Sequence, residues 1–357
     1  MHLRPLGLFA LIFFLSSVCW AVENPPYTFS DLVRKERAAV VNIRSSVLLG
    51  KPGPIREFYG DLHVRSDQEP LGTGFVISAD GFVLTNAHVV AAAEREGGEG
   101  EPLRIQLPQQ RQVKARVVGR DAQTDLALLK IIEGGQGLPH VTLGDSDHLE
   151  VGEWVLAIGD PFGGEETVSV GIVSATGRSI GSGPYDNFIQ TDASIYAGNS
   201  GGPLFDIQGN VIGINTALPS AGQGIGFAIP INMAKTVVGQ LRQRGRVVRA
   251  WLGVMIQEVT PELAKAFGLH RAEGALVSDV MERSPAKEAG ILRGDIIVSF
   301  DGKRVDQMQK MPLMVAETPL GRAVEVVLIR DGRERQLQVQ VAQLPEEPKG
   351  RKPGAKR

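Results

Sequence analysis

The segment AGNSGGPL, residues 197–204, places one serine among three glycines and an asparagine. Glycine at this density disfavours a helix or a regular strand, but it lets the backbone turn sharply and approach another group closely. Ser200 in such a turn could act as a nucleophile, with neighbouring backbone N–H groups directed at a developing oxyanion. A surface turn rich in serine and glycine is the commoner explanation of such a segment. The catalytic interpretation therefore depends on a base and an acid elsewhere.

A serine nucleophile needs a base that titrates near neutral pH, and histidine is the usual one. Of the six histidines, His88 differs from the rest because it lies between apolar residues in VLTNAHVV. A structural role is the alternative for a lone buried histidine. The base needs a carboxylate that fixes its tautomer. Asp125 in QTDLALLK is the candidate, because it directly precedes an apolar run that would bury it.

Short β-branched runs separated by turn residues begin at Phe75 and predict an antiparallel sandwich or a pair of barrels. Hairpin turns are expected at residues 79–81 and 208–210. One helix follows Pro230, with a single apolar face, Asn232 as N-cap and Gly245 as its end. The predicted first unit is a β body closed by one helix. The apolar face of that helix comprises Ile231, Ala234, Val238 and Leu241.

A second unit of about ninety residues begins near Ala250 and mixes strands with helices. Thr260-Pro261-Glu262 is a good helix opening, since threonine suits the N-cap and proline the first helical position. A hairpin turn is expected at Asp331-Gly332, between two runs of alternating residues. These features predict a small α+β domain.

The N-terminal segment resembles an export signal. Arg4 precedes the apolar run 6–18, which is too short to cross a bilayer comfortably and suits a secretory signal cleaved after Ala21. A retained membrane anchor is the alternative. The only cysteine is Cys19, so the mature chain needs no disulfide. A net charge of −2 gives no indication of nucleic-acid binding.

The sequence resembles the HtrA (Deg) serine proteases from about residue 30 to residue 342. The resemblance implies a mainly β fold, a chymotrypsin-like double β-barrel protease domain followed by a small α+β PDZ domain. It implies His88 as general base, Asp125 as orienting acid and Ser200 as nucleophile, with the oxyanion hole formed by backbone N–H groups of Gly198, Asn199 and Ser200. It rests on GTGFVISADGFVLTNAHVV, DAQTDLALLKI, LGDSDHLEVGEWVLAIGDPFG, FIQTDASIYAGNSGGPLFDIQGNVIGIN and GIGFAIPIN, in that order.

The same resemblance implies further sites. Arg178 lies in a segment like the family's sensor loop, and Tyr27 and Phe29 resemble aromatic residues that hold the family's trimers together. The chain departs from the family at Tyr196-Ala197, before the nucleophile, and in a short regulatory loop at 49–71. Ile225, Gly226 and Phe227 are implied to line the substrate pocket and to favour small aliphatic side chains, and Trp251, Leu252, Gly253 and Val254 to form the carboxylate-binding loop of the PDZ domain.

The predicted organisation is a signal peptide (1–21), an arm with the first strand and the regulatory loop (22–70), a protease domain (71–245), a linker (246–250), a PDZ domain (251–343) and a basic tail (344–357). The implied function is that of a periplasmic, ATP-independent endopeptidase that degrades misfolded envelope proteins, assembles at least as a homotrimer, binds C-terminal peptides at its PDZ domain and needs no cofactor or metal. Two alternatives remain: a chaperone-like binding protein, and a sensor protease with a retained anchor that cleaves one membrane regulator.

Overall fold

The computed structural model describes residues 28–44, 70–97, 102–108, 111–160, 166–217 and 224–345. The predicted signal peptide, Tyr27, most of the predicted regulatory loop and the basic tail from residue 346 lie outside these ranges. Within them, no helix combines the length and the apolar character needed to cross a membrane.

Six antiparallel strands form the first barrel. Its core is aliphatic and includes the buried side chains of Ile43, Val83, Ile105 and Leu129. The predicted turn at 79–81 is confirmed, with Gly81 at φ 85°. The strands are β1 (Val40–Arg44), β2 (Pro70–Val76), β3 (Phe82–Asn86), β4 (Leu103–Gln106), β5 (Gln112–Asp121) and β6 (Leu126–Ile131), closed in the order β1-β2-β3-β6-β5-β4.

A second barrel of six strands packs against the first, and a seventh short strand pairs with it in parallel. The predicted turn at 208–210 joins two of its strands, with Gly209 at φ 86°. The strands are β7 (Thr142–Leu143), β8 (Trp154–Gly159), β9 (Thr167–Arg178), β10 (Phe188–Thr191), β11 (Pro203–Phe205), β12 (Asn210–Thr216) and β13 (Gly226–Pro230), with β11-β8-β9-β10-β13-β12 closed by pairing of β12 with β11. The predicted pair of barrels is therefore confirmed.

The described residues of the protease part include three α-helices beside the barrels: α1 (Ser30–Glu36), α2 (Ala87–Gly97) and α3 (Ile231–Arg244). The prediction of a single helix is wrong, because α1 precedes β1 and α2 directly follows β3. The N-cap prediction for Asn232 is also wrong. Helix α3 begins at Ile231, and the backbone N–H of Asn232 is capped by the Ser146 hydroxyl at 3.1 Å. Gly245 ends α3 in the left-handed region, as predicted.

The second domain is a five-stranded antiparallel sheet with three short helices. Thr260 caps the first of these through its side chain, as predicted. The elements are β14 (Ala250–Trp251), β15 (Val254–Glu258), α4 (Pro261–Ala266), β16 (Ala275–Val280), α5 (Pro285–Glu288), β17 (Ile296–Phe300), β18 (Lys303–Arg304), α6 (Met311–Ala316), β19 (Ala323–Arg330), β20 (Arg333–Gln340) and β21 (Ala342–Gln343). The sheet order is β15-β16-β17-β19-β20, β18 extends it beside β17, and β14 pairs with β21. The turn predicted at 331–332 joins β19 to β20.

Candidate active site

His88 and Asp125 are joined by two hydrogen bonds. Nδ1 of His88 lies 2.7 Å from Oδ2 of Asp125, and the backbone N–H of His88 donates to Oδ1 at 2.9 Å. The carboxylate therefore fixes both the ring and the backbone that carries it. With Nδ1–H donating to the carboxylate, Nε2 is the free basic nitrogen of the imidazole. The His88 side chain is 48% exposed, so this nitrogen is open to substrate.

Asp125 is held in an uncommon backbone conformation. Its φ is 55°, a region that aspartate tolerates better than most residues. Its carbonyl oxygen accepts hydrogen bonds from the Ala87 N–H and from Nδ2 of Asn86, both at 3.0 Å. The preceding turn is closed by Asp121, whose carboxylate accepts the Thr124 N–H at 3.2 Å. The start of α2 and the turn before β6 are thereby locked together, and this brings acid and base into contact.

Ser200 lies in the second barrel, directly after the 3₁₀ turn Ala197–Asn199. It is fully buried, and its hydroxyl oxygen accepts a hydrogen bond from the Ala217 N–H at 2.8 Å. The contacts of the described residues include no hydrogen bond between this hydroxyl and His88. Asn86 connects the two barrels beside the site through a hydrogen bond to the Thr216 hydroxyl at 3.2 Å. The hydroxyl of Ser200 must therefore move toward His88 before the imidazole can take its proton.

The turn before Ser200 engages one of the N–H groups that were predicted to bind an oxyanion. The N–H of Asn199 donates to the Tyr196 carbonyl at 3.0 Å. The assignment of the oxyanion hole to Gly198, Asn199 and Ser200 remains a prediction. The Asn199 side chain reinforces the turn, accepting from the Tyr196 N–H and donating to the Ser194 carbonyl. This conformation keeps the Asn199 N–H occupied.

The residues predicted for the substrate pocket lie at the start of β13. Ile225 is 40% exposed and Gly226 is buried, with Ala193 and Ile195 so close that a side chain at 226 would meet them. Phe227 packs edge-on against Phe188, with ring centroids 5.9 Å apart, and is itself buried. Of the three, only Ile225 is exposed, whereas Gly226 and Phe227 are buried. The pocket assignment of these residues remains a prediction.

The predicted carboxylate loop lies at the edge of a cavity of about 660 Å³ in the second domain. Gly253 has φ 84°, and a Cβ there would lie 2.2 Å from the Cβ of Ser284, so the loop needs glycine at this position. The opposite wall is formed by Met311 and Val315 of α6. The arrangement, a strand edge facing a helix with a glycine loop at one end, suits an extended peptide that adds to β15.

This cavity also touches the protease domain. Tyr185, in the segment 179–187 between β9 and β10, lines it together with Gln123, two residues before Asp125. Arg249, just before β14, makes a buried two-pronged ion pair with Asp121, with N–O distances of 2.9 and 2.5 Å, and lies over the Tyr185 ring at 4.5 Å. Burial raises the pKa of Tyr185, which the positive charge of Arg249 opposes.

Arg178 lies at the end of β9, where it faces the second domain. Its Nε donates to Oε1 of Gln190 at 3.0 Å. It lines a polar cavity of about 800 Å³ whose other wall includes Gln307 and Lys310 of the second domain. Its position between the domains fits the predicted regulatory role, which remains a prediction. Among the described residues, no group of three or more histidine, cysteine, aspartate or glutamate side chains could hold a metal ion.

Comparison with known proteins identifies both domains. Residues 72–214 match the trypsin-like peptidase domain, and residues 250–341 match the PDZ domain. A probable periplasmic DegP-like serine endoprotease from Hahella chejuensis is 42% identical over 351 residues, which cover 92% of this chain and 72% of that protein. The chain belongs to the HtrA/DegP family of serine endoproteases. A DegP-like relative from Ectopseudomonas mendocina is 44% identical over 346 residues, 89% of this chain and 71% of that protein.

Solved structures of HtrA-type proteases share the whole fold. The HtrA-type protease AlgW, solved with a decapeptide, is 39% identical with a TM-score of 0.73, and the match covers 90% of this chain and all of that one. The serine endoprotease from Yersinia pestis is 33% identical with a TM-score of 0.64, over 90% of this chain and all of that one. The periplasm, predicted for this HtrA/DegP protein from its N-terminal segment, is also the location that the relatives' names give.

Several residues of the site are absent from the sequence-based prediction. Asn86, Ala217 and Arg249 contact Asp125, Ser200 and Asp121 respectively, and each lies far from its partner in sequence. Asp121, whose carboxylate closes the following turn, is the last residue of β5. Nothing in the local sequence indicates that Arg249, 128 positions away, neutralises it.

Proposed function

We propose that this HtrA/DegP endoprotease cleaves misfolded envelope proteins without ATP, with Ser200 as nucleophile, His88 as general base and Asp125 as the acid that orients it. The observation that supports the proposal best is the pair of hydrogen bonds from Asp125 to the ring and backbone of His88, at 2.7 and 2.9 Å. A carboxylate used only for structure has no need to fix an imidazole at both points. The arrangement stabilises the imidazolium that forms during acyl transfer.

The proposed reaction is acyl transfer in two steps. Ser200 Oγ attacks the scissile carbonyl carbon while Nε2 of His88 takes the hydroxyl proton. The tetrahedral intermediate collapses, the C–N bond breaks, and His88 returns the proton to the leaving amine. Water then attacks the acyl-enzyme with His88 again as base, which releases the carboxylic acid and restores the hydroxyl.

We infer that the conformation described above is a resting one. The Asn199 N–H is engaged within the 3₁₀ turn, and the Ser200 hydroxyl contacts Ala217 and not His88. An oxyanion needs donors that point at it. The N–H of Gly198 becomes such a donor if the peptide between Ala197 and Gly198 turns over. Substrate or a regulatory peptide shifts the protein to that state only if it binds that state more tightly.

Peptide binding at the PDZ domain is the proposed regulatory signal. The cavity beside Trp251–Val254 is lined in part by Tyr185 and Gln123 of the protease domain, so a bound peptide lies close to both domains. Arg249 connects that cavity to Asp121, which closes the turn before Asp125. AlgW has been solved with a decapeptide, which supports peptide binding in this family.

A homotrimer is the proposed assembly. Phe29 packs against Trp154, with centroids 6.4 Å apart, and Trp154 remains 53% exposed within the single chain. An exposed tryptophan beside an N-terminal phenylalanine is typical of an interface. A second copy of this chain is the proposed partner for that surface.

Degradation of casein, an unfolded substrate, by the mature protein tests the proposed function, with Ser200→Ala as control. We expect cleavage by the wild type in the absence of nucleotide and a loss on the order of 10⁶ in kcat for Ser200→Ala, because the hydroxyl forms the acyl-enzyme. Casein protected from aggregation but never cleaved would favour the chaperone-like alternative. Cleavage of one membrane regulator only, with an intact N-terminus found by sequencing, would favour the anchored sensor.

A further inference from the structure

We propose that Thr73, in β2 of the first barrel, is a positioning residue for Ser200. Its side chain holds the carbonyl group of Gly198 in place. Of the peptides around Gly198, only the Ala197–Gly198 peptide is then free to rotate. The inference rests on the proposed roles of Ser200 as nucleophile and Gly198 as oxyanion donor. Neither the sequence motif nor the family description assigns Thr73 a role in catalysis.

Thr73 makes three hydrogen bonds across the boundary between the barrels. Its Oγ1 donates to the Gly198 carbonyl at 2.8 Å and accepts the Asp160 N–H at 3.0 Å, while its own N–H donates to the Ser200 carbonyl at 2.9 Å. A hydroxyl has a single proton, and the Asp160 N–H can only donate, so that proton is committed to Gly198. Thr73 is fully buried, which strengthens these bonds because water does not compete for the same groups.

The partner beneath Thr73 is itself anchored. Asp160 follows β8 and is buried, and its carbonyl accepts from Nδ2 of Asn42 at 2.8 Å. Arg44, buried at the end of β1, supplies positive charge: burial lowers the pKa of Arg44, and the Asp160 carboxylate opposes this shift. The Asp160 N–H is therefore held in place by β1 of the first barrel, and Thr73 Oγ1 receives it in a fixed position.

This network divides the turn into a fixed part and a movable part. A peptide unit is planar, so its carbonyl and the next N–H move together. The Gly198–Asn199 peptide is held on both sides, by Thr73 Oγ1 at the carbonyl and by the Tyr196 carbonyl at the N–H. The N–H of Gly198 belongs to the preceding peptide, which can rotate because glycine adopts many backbone angles. Formation of an active oxyanion hole therefore requires rotation of only one peptide, the one between Ala197 and Gly198.

Close packing against β2 also accounts for the glycines after Ser200. Gly201 has φ 82°, and a Cβ there would lie 2.3 Å from the Thr73 carbonyl oxygen. A Cβ at Gly202 would lie 3.0 Å from the Thr73 methyl. The turn therefore packs against Thr73 so closely that a side chain at position 201 or 202 would prevent the contact. The close packing of Gly201 and Gly202 against Thr73 thereby fixes the position of Ser200 relative to His88.

The test compares Thr73→Ser, Thr73→Ala and Thr73→Val in the full-length mature protein. Ser and Ala both lack the methyl group and differ only in the hydroxyl, so this pair isolates the hydrogen bond. For each variant, kcat and KM are measured on a chromogenic peptide, together with the inhibition constant of a peptidyl boronic acid ending in boroVal. The boronate adds to Ser200 and places an oxygen in the oxyanion hole, so its affinity reports that hole and not general stability.

We expect Thr73→Ala and Thr73→Val to lose about tenfold in both kcat and boronate affinity, about 1.4 kcal/mol, with KM changed less than threefold. Thr73→Ser should stay within about threefold of wild type. Thr318→Val, which removes a similarly buried threonine hydroxyl from the Met314 carbonyl in the second domain, is the control for loss of a buried hydroxyl and should leave both values unchanged.

Equal boronate affinity for Thr73→Ser and Thr73→Ala would overturn the inference, because the hydroxyl would then have no role. The inference would also be overturned if the loss of kcat and boronate affinity were fully explained by the fraction of unfolded protein, as measured by thermal unfolding. Continued hydrolysis by Ser200→Ala would instead contradict the proposed nucleophile. The two failures are therefore distinguishable in one set of assays.

Discussion

At the scale of single residues, the site is defined by which hydrogen-bonding groups are committed and which remain free. Asp125 uses both carboxylate oxygens on His88, one on the ring and one on the backbone. Ser200 is engaged with Ala217 and not with the imidazole. The proposed acid and base are therefore already in contact in this conformation, whereas the proposed nucleophile is not in contact with the base.

Replacing Asp125 by asparagine tests this arrangement. The amide cannot stabilise an imidazolium and presents its NH₂ group to Nδ1, which favours the wrong tautomer. We expect kcat on a peptide substrate to fall by about 10⁴-fold, with little change in KM. Asp31→Asn, at an exposed position in α1, is the matched control and should behave as wild type. A variant at position 125 that keeps a tenth of the wild-type kcat would show that Asp125 does not orient the base.

At the scale of elements, the C-terminal end of α3 packs tightly against β5. A Cβ at Gly119 of β5 would lie 2.3 Å from the Gly245 carbonyl oxygen, and that oxygen belongs to the backbone that ends the helix. A Cβ at Gly239, in the interior of the same helix, would meet no atom of the described residues within 4 Å beyond its own helix backbone. An added methyl group therefore has no room at Gly119 and ample room at Gly239.

These two glycines give opposite predictions for stability. We expect Gly119→Ala to lower the midpoint of thermal unfolding of the protease domain, because either the helix end or β5 must move. Gly239→Ala should raise it, since alanine stabilises a helix interior by about 1 kcal/mol relative to glycine. Differential scanning calorimetry of both variants beside the wild type provides the measurement. A stabilised Gly119→Ala variant would mean that α3 and β5 are not in the contact described.

At the scale of the whole molecule, the two domains are joined by more than a linker. Arg249 neutralises Asp121 inside the protease domain, and Tyr185 stacks beneath it at the wall of the peptide cavity. A buried charge left without its partner is costly, so the position of the PDZ domain and the turn before Asp125 are energetically linked. Arg178 faces the second domain from a separate cavity.

Peptides with apolar C-termini should therefore activate the protease. Coupling between sites is typically about 1–3 kcal/mol, or roughly 5- to 150-fold in rate if the peptide favours the active state. We expect Arg178→Ala and Arg249→Gln to reduce the activation factor, while calorimetric peptide affinity changes little. Arg335→Gln, at an exposed position on β20, is the control. Unchanged rates on adding peptide to the wild type, or the same activation in every variant, would exclude this coupling.

The assembly prediction concerns the aromatic surface formed by Phe29 and Trp154. Phe29→Ala and Trp154→Ala should each weaken the trimer, because interface aromatics contribute a large part of association energy. Sedimentation velocity over a range of concentrations measures this. Ile132→Ala removes another exposed apolar side chain, 50% exposed, and should leave the trimer intact. A wild-type monomer at all concentrations would contradict the proposal.

The sequence by itself determined the catalytic residue types, the two-barrel body, the second domain and most turns. These follow from local rules: glycine is needed where φ is positive, as at Gly209 and Gly245, and alternating apolar residues indicate strands. Helix α2 escapes sequence-based prediction because valines beside His88 suit either a strand or a helix, and the tertiary contacts of Asp125 with Ala87 and His88 decide between them.

Only the tertiary structure decided which groups hold the site. Thr73, Asp160 and Arg44 are buried polar residues whose partners lie on other strands, and a buried polar group must find its partner wherever the fold places one. The same is true of Arg249 and Asp121, 128 positions apart. Local sequence patterns carry no information about such pairs, because the distance along the chain does not fix the distance in space. The state of the oxyanion turn is likewise a property of these long-range contacts, since the glycines permit both conformations and Thr73 selects which peptide can turn.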